Sequence, residues 1–278
     1  MDPMDAVVHV TLESFDAATH ERLTADPVRN TVALTSLDRI RRSPATEEAP
    51  ILITFHDRGE VVGSLVRTPP WPFQAADLPL DAVELAVSVA GRVDPDAPGV
   101  TGPRERSEAF ATATGKECRE TLATRQYRLT TLAPPAVEGT SRMATEDDVE
   151  LLVAWREAFV AEAVPEAPPA PAADAMRTSL RLGQGHALWV IDGTPVAWAA
   201  ASLPQAGMTR IGPVYTPPAH RRRGYGAAVS AAATQWALGQ GAADVLLFAD
   251  LTNPTSNSIY QQIGYEPLDD WAEFWWKH

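Results

Sequence analysis

The run Arg221-Arg222-Arg223-Gly224-Tyr225-Gly226-Ala227 sets three guanidinium groups against two glycines at the head of an alanine-rich segment. Those residue types suit phosphate. A guanidinium fork matches phosphate oxygens, and a glycine lets those oxygens approach the main chain. A helix starting at Gly226 would add N–H donors without internal partners at the positive end of its dipole. The run therefore reads as a pyrophosphate cradle. It is no Walker loop, because no Gly-Lys followed by Ser or Thr is present. It is also a poor dinucleotide fingerprint: Val229 stands where a third small residue is needed, and Thr216–Arg223 separate the preceding strand from the first glycine.

The elements that must position the cradle follow from pattern. "MTRIGPVYT" reads as a strand before it. A helix runs on from Gly226 to Leu238, with Val229, Ala232, Ala233 and Trp236 on one apolar face. Gly239 and Gly241 end the helix, and "DVLLFAD" is an unbroken apolar run of the kind a strand covered on both faces shows. Strand, helix and strand in that order predict a parallel crossover. Before it come a short strand "SRM", a helix capped by Thr145 with Glu146, Asp147 and Asp148 in its first turn, and a proline-rich loop, Val164–Asp174. A helix "DAMRTSLRLG" and a hairpin turning at Gly193 then lead into the crossover. After it, Asn253 and Pro254 open a short helix, Gly264 closes it, and "WAEFWWKH" reads as a final strand.

In this setting Arg221-Arg222-Arg223-Gly224-Tyr225-Gly226 resembles motif A of the GCN5-related N-acetyltransferases, Arg/Gln-x-x-Gly-x-Gly/Ala, and "NPTSNSIYQQIGY" resembles that family's second motif at the right distance. The resemblance spans about Gly139–His278. It implies that the strand before the arginine loop splays from its neighbour and takes the pantetheine arm of an acyl-CoA in the gap. Main-chain groups from Val214 through Tyr215 to Thr216 would pair with pantetheine, with Val214 or its neighbour polarising the thioester carbonyl. Residues Arg221, Arg222, Arg223, Gly224, Tyr225, Gly226 and Ala227 would hold the pyrophosphate. Asn253 and Asn257 match cofactor-contact positions, and Tyr260 matches the tyrosine that protonates the departing thiolate. Pro217 makes "TPP" where the family usually has one proline.

Each of these residues has a plainer role. Three arginines are commonly a solvated patch. Asn253 can be a helix cap alone, and Tyr260 can be a core aromatic. Trp271, Phe274, Trp275 and Trp276 read as core, with one member available to an acceptor pocket. His186 and His278 show no partner in the sequence and read as structural. Glu157, Glu162 and Asp250 are conceivable bases that no motif separates.

The first half carries no match to the arginine–glycine motif. "VALTSLDRI" reads as a helix, "ILITFHDRGEVVGSLVR" as a hairpin resembling the one at Gly193, and "LDAVELAVSVAGRV" as a helix. "PRERSEAFATATGKECRETLA" reads as a helix carrying Cys118, and "RQYRLTTL" as a strand. With the break at "TLAPPAVEGT", the expected domains are residues 1–133, a degenerate acetyltransferase-like lobe without cofactor, and residues 138–278, the catalytic lobe. The expected fold is α/β: tandem lobes, each a mixed, mostly antiparallel sheet flanked by helices, with the splayed strand pair in the second.

Composition limits the partners. The 278 residues carry a formal charge of −13, which disfavours nucleic acid and favours cationic partners. Salt-sensitive RNA binding would be needed to revive an RNA reading of the arginines. One cysteine permits no internal disulfide. "MDPMDAVVHV" has neither a basic stretch nor a long apolar run, so no signal peptide is expected, and no apolar stretch nears the roughly 20 residues of a membrane helix. The chain is therefore expected to be cytoplasmic, a monomer or homodimer, without metal, using acetyl-CoA or another acyl-CoA on a small-molecule or peptide amine. A noncatalytic CoA-binding sensor or scaffold is the alternative.

Overall fold

A computed structural model describes residues 4–42, 49–165 and 172–277. The chain forms two units: Met1–Thr124 with Asp269–His278, and Arg125–Leu268. Both divisions fall inside long strands, β6 (Cys118–Leu129) and β12 (Tyr265–Trp276). Among the described residues, no helix is long and apolar enough to cross a membrane. The proline-rich loop falls largely outside the described residues, as does His278.

In the first unit, β1 (Asp5–His9), β2 (Ile51–Asp57), β3 (Glu60–Arg67) and β4 (Phe73–Gln74) pair antiparallel in chain order. β4 then pairs parallel with β5 (Gly99–Pro103), and β5 pairs antiparallel with Trp271–Trp275 of β12. The helices are α1 (Leu12–Ala25), α2 (Thr31–Arg42), α3 (Val83–Val93) and α4 (Arg104–Ala113). The core gathers Phe55, Leu65, Phe73, Val100 and Phe110, and α3 adds Val83, Ala86 and Val89, spaced to share one helix face. Phe274 and Trp276 pack against this core, and Trp271 is buried.

One expectation is corrected here. The helix expected to carry Cys118 stops at Ala113, and Cys118 opens β6. Gly115 takes φ +64° after the last turn and breaks the helix. The Glu, Leu and Ala beyond it are good helix formers, but the strand wins through its sheet partners.

In the second unit, β7 (Thr140–Met143), β8 (Gly185–Ile191), β9 (Thr194–Ala201) and β10 (Met208–Tyr215) pair antiparallel in chain order. β10 pairs parallel with β11 (Asp244–Asp250) through α7 (Tyr225–Gly239), the predicted crossover. α5 (Val149–Ala163) and α6 (Ala172–Arg181) pack with Leu188, Trp198 and Tyr215; α8 (Pro254–Gln262) follows β11. The start of α5 is fixed by Asp148, which accepts from the Thr145 N–H (2.9 Å) and two Arg142 nitrogens (2.7 Å each).

α7 explains its alanines. Ala227, Ala228, Ala231, Ala233 and Ala237 are all buried, so the helix is covered on most of its circumference. It lies across β8, β9 and β10. A Cβ on Gly185 of β8 would sit 2.6 Å from the Trp236 ring, a measure of how closely helix and sheet approach. Gly264 ends α8 with φ +99°, and its Cβ would fall 1.8 Å from the Thr131 carbonyl oxygen, so no side chain fits there.

His186 proves to have partners. It is buried, stacked on Trp198, and its Nδ1 accepts from the Trp198 indole N–H at 3.2 Å. The proton must then lie on Nε2, which donates to Ser179 Oγ at 2.7 Å, while Ser179 donates to Gln184 at 2.5 Å. Burial, assisted by the nearby Arg156 charge, lowers the imidazole to about 4.

Candidate active site

The candidate site lies in the second unit where β10 ends. β10 pairs with β11 only from Met208↔Asp244 to Ile211↔Leu247. Beyond Ile211 it leaves β11, while Val214 and Tyr215 stay paired with Ala199 and Trp198 of β9. A shift of register between Ile211 and Val214 marks the departure. This is a strand splayed from one neighbour and held by the other. Side chains alternate across it: Val214 packs on the α7 side, and Tyr215 on the side of Leu152, Met176 and Trp198.

From Thr216 the chain makes a single 3₁₀ turn, Pro218–His220, and enters the arginine loop. Arg222 takes φ +62° and Gly224 φ +82°, so the loop twice turns through left-handed conformations before the helix begins. Gly224 is the N-cap of α7, no side chain caps it, and no acidic residue lies in the first turn. The first intrahelical bond is from the Ala228 N–H to the Gly224 carbonyl, 3.0 Å. The amides of Tyr225, Gly226 and Ala227 therefore point out of the helix start. A Cβ on Gly226 would stand 3.5 Å from Thr216 Oγ1, so this glycine faces the end of the splayed strand. Tyr225 and Ala227 bury their side chains, leaving their backbones to the loop.

The three arginines differ. Arg222 and Arg223, like Arg221, are exposed. Arg221 folds back: its Nε donates to the Thr216 carbonyl at 2.8 Å and its Nη2 to Glu162 Oε2 at 2.5 Å. Its guanidinium carbon lies 5.8 Å from the Tyr215 ring centroid. Tyr215 donates to the other Glu162 oxygen at 3.3 Å, and burial followed by this carboxylate pushes the phenol up. Of the three conceivable bases, Glu162 alone is joined to the loop by these contacts. Glu157 is exposed on α5, and Asp250 Oδ1 accepts from the N–H and hydroxyl of Thr252.

On α8, Asn253 is the N-cap, accepting from the Ser256 N–H at 3.1 Å. Asn257 is committed on both ends of its amide: Nδ2 donates to the carbonyls of Asp250 and Asn253 (2.7 Å each), and Oδ1 accepts from the Tyr127 hydroxyl (2.7 Å). That network, invisible in the local sequence, ties α8 to β11 and β6. Tyr260 is buried between the rings of Tyr127 and Tyr265, at 6.4 and 6.3 Å between centroids. Burial pushes its phenol up to about 12, and Ser230 lies close enough to lower it slightly, although Ser230 Oγ itself makes no hydrogen bond.

Residues 150–265 match the family model described as "Acetyltransferase (GNAT) family". That match assigns residues 150–265 to the GNAT family, whose general chemistry is acyl transfer from acyl-CoA to an amine; the whole chain has the fold of two-lobed GNAT structures. Among solved structures, the GCN5-related N-acetyltransferase from Sphaerobacter thermophilus aligns over 97% of this chain and 94% of its own, with TM-score 0.62 and 16% identity. An acetyltransferase of the GNAT family from Colwellia psychrerythraea aligns over 98% and 100%, with TM-score 0.61 and 13% identity. A tandem GNAT protein from the clavulanic acid biosynthesis pathway aligns over 98% of each chain, with TM-score 0.56 and 14% identity. At these identities the likeness is one of fold. Comparison with curated proteins finds no match.

Proposed function

We propose that the chain is an acyl-CoA-dependent N-acyltransferase, acetyl-CoA being the favoured donor, and that the second unit carries the chemistry in a cytoplasmic setting. The observation that supports this most is the pairing of two features: a strand that leaves β11 after Ile211, and a glycine-started, uncapped helix facing its end. On this reading the main chain from Val214 to Thr216 takes the pantetheine arm, and the loop Arg221–Ala227 takes the pyrophosphate. Asn253 orients the loop before α8. Asn257, already saturated, holds the frame that the cofactor lies on.

The reaction is direct. A neutral amine attacks the thioester carbonyl, a C–N bond forms, the C–S bond breaks, and the nitrogen loses its proton to solvent or a base. Main-chain donors near Val214 stabilise the developing oxyanion. Tyr260 assists the leaving sulfur as a hydrogen-bond donor. A phenol near 12 is a much weaker acid than an ordinary thiol near 8.5, so full proton transfer runs uphill and water completes it. The test is release of free CoA thiol from acetyl-CoA over a panel of amines. Amine-dependent release is expected; tight acetyl-CoA binding with no release from any amine would favour the noncatalytic CoA sensor.

A further inference from the structure

Arg221 has two claims on it. The cradle reading, on which this inference rests, gives its guanidinium to a pyrophosphate, whereas in the structure it is held by Glu162 and the Thr216 carbonyl and lies near the Tyr215 ring. A single planar fork cannot serve a carboxylate and a pyrophosphate in the same orientation. Once the arginine turns to phosphate, Glu162 Oε2 loses its cation and keeps only the Tyr215 hydroxyl on its other oxygen. What is left is an anion that is 46% exposed, beside the face of Tyr215, whose ring is in turn 6.2 Å from that of Trp155. A carboxylate beside an aromatic face is a site for a cation.

We propose that Glu162 and Tyr215 form an acceptor-binding site for an amine bearing a second cationic group, with Arg221 standing in for that group until acyl-CoA draws it away. The location supports this. Tyr215 lies between Val214 and Thr216, the residues assigned to the acyl arm, and its side chain points to the α5–α6 side of the sheet. An acceptor can thus approach from one side while the cofactor lies along the strand. The charge held by Glu162 must belong to a second group, because the attacking nitrogen has to be neutral. The acceptor class is therefore a diamine, or an amine with a comparable fixed charge.

The test uses calorimetric titration of the full chain at low salt. Glu162→Gln frees Arg221 in advance, so acetyl-CoA should bind about two- to fivefold more tightly, the range for a partly exposed ion pair, and high salt should erase the gain. With CoA saturating, 1,3-diaminopropane should bind the native chain about fivefold or more tightly than it binds Glu162→Gln; uncharged 1,3-propanediol should not distinguish them. Unchanged or weaker acetyl-CoA binding by Glu162→Gln, or equal diamine binding by both chains, overturns the proposal. Failure of the cradle reading looks different: acetyl-CoA would not bind the native chain, or would bind Gly226→Val equally well.

Discussion

Among the described residues each unit has a parallel strand–helix–strand crossover, β4–α3–β5 in the first and β10–α7–β11 in the second. Their topology is the same and their contents are opposite. After β4 the chain keeps its partner, the Ala75 N–H donating to the Thr101 carbonyl at 2.8 Å. It then lies along β3, where Asp77 O accepts from the Ser64 N–H at 3.2 Å and a Cβ on Gly63 would stand 2.3 Å from Pro79. Asp77 is buried under both Arg22 Nε contacts (3.0 Å) and the Ser64 hydroxyl (2.9 Å). The helix start beyond it carries Asp81 and Glu84, carboxylates that satisfy the positive end of the helix and repel phosphate. After β10 the strand splays, and the helix start carries a left-handed glycine and cationic neighbours. Topology sets where a phosphate site can be, and the few residues after the first strand decide whether there is one.

The sharpest way to break this contrast is Gly226→Val. A branched side chain in front of Thr216 would block at least two amide donors, and acetyl-CoA affinity should fall by about 100-fold. Gly224→Val should do the same, with an added folding cost from φ +82° and from Val137, which a Cβ would meet at 2.9 Å. A melting curve separates the two effects. Removing Asp81 and Glu84 from the first unit should create no second site, because the loop after β4 stays filled.

Acid should divide the units as well. His186 in the second unit sits near 4 against an ordinary 6.5, so the unfolded chain takes up its proton first. Stability is therefore complete above about pH 6.5 and falls as the pH drops toward 4, by about 3 kcal/mol from this group. His9 in the first unit is shifted the same way by burial and then by His56, but it is partly exposed. Hydrogen exchange at pH 5 should show β8 and β9 losing more protection than β1 and β2; equal loss would contradict the role of His186.

Tyr260→Phe keeps the ring between Tyr127 and Tyr265 and removes only the donor. Turnover should fall about tenfold, below the usual span for a general acid because a phenol near 12 gives the sulfur a hydrogen bond and not a full proton, with acetyl-CoA affinity unchanged in a titration. Arg221→Ala should lower acetyl-CoA affinity by only about three- to fivefold, because part of what the arginine would give to phosphate is offset by what it already gives to Glu162.

The arginine–glycine run and the Asn253 cap were legible in the sequence because each rests on local geometry: a left-handed turn, an uncapped helix, a side chain closing over its own first turn. What escaped was long-range. Glu162 reaches Arg221 across 59 residues of sequence, and nothing in "VAEAV" distinguishes it from Glu157. Asn257 looks like a free amide until Tyr127 and Asp250 are placed around it. His186 looks unpartnered until the fold stacks it on Trp198. The proline-rich "TLAPPAVEGT" marks the end of β6, whereas the units divide inside that strand, where alternating residues carry no punctuation. Likewise "WAEFWW" is patterned as a strand, but its membership of the first unit is set by its pairing with β5.

Of the two crossovers, only β10–α7–β11 is expected to hold acyl-CoA, and titration of the native chain with acetyl-CoA decides it. A single site per chain, weakened about 100-fold in Gly226→Val, is expected; two equivalent sites, or one site untouched by that substitution, would mean that acyl-CoA is held elsewhere.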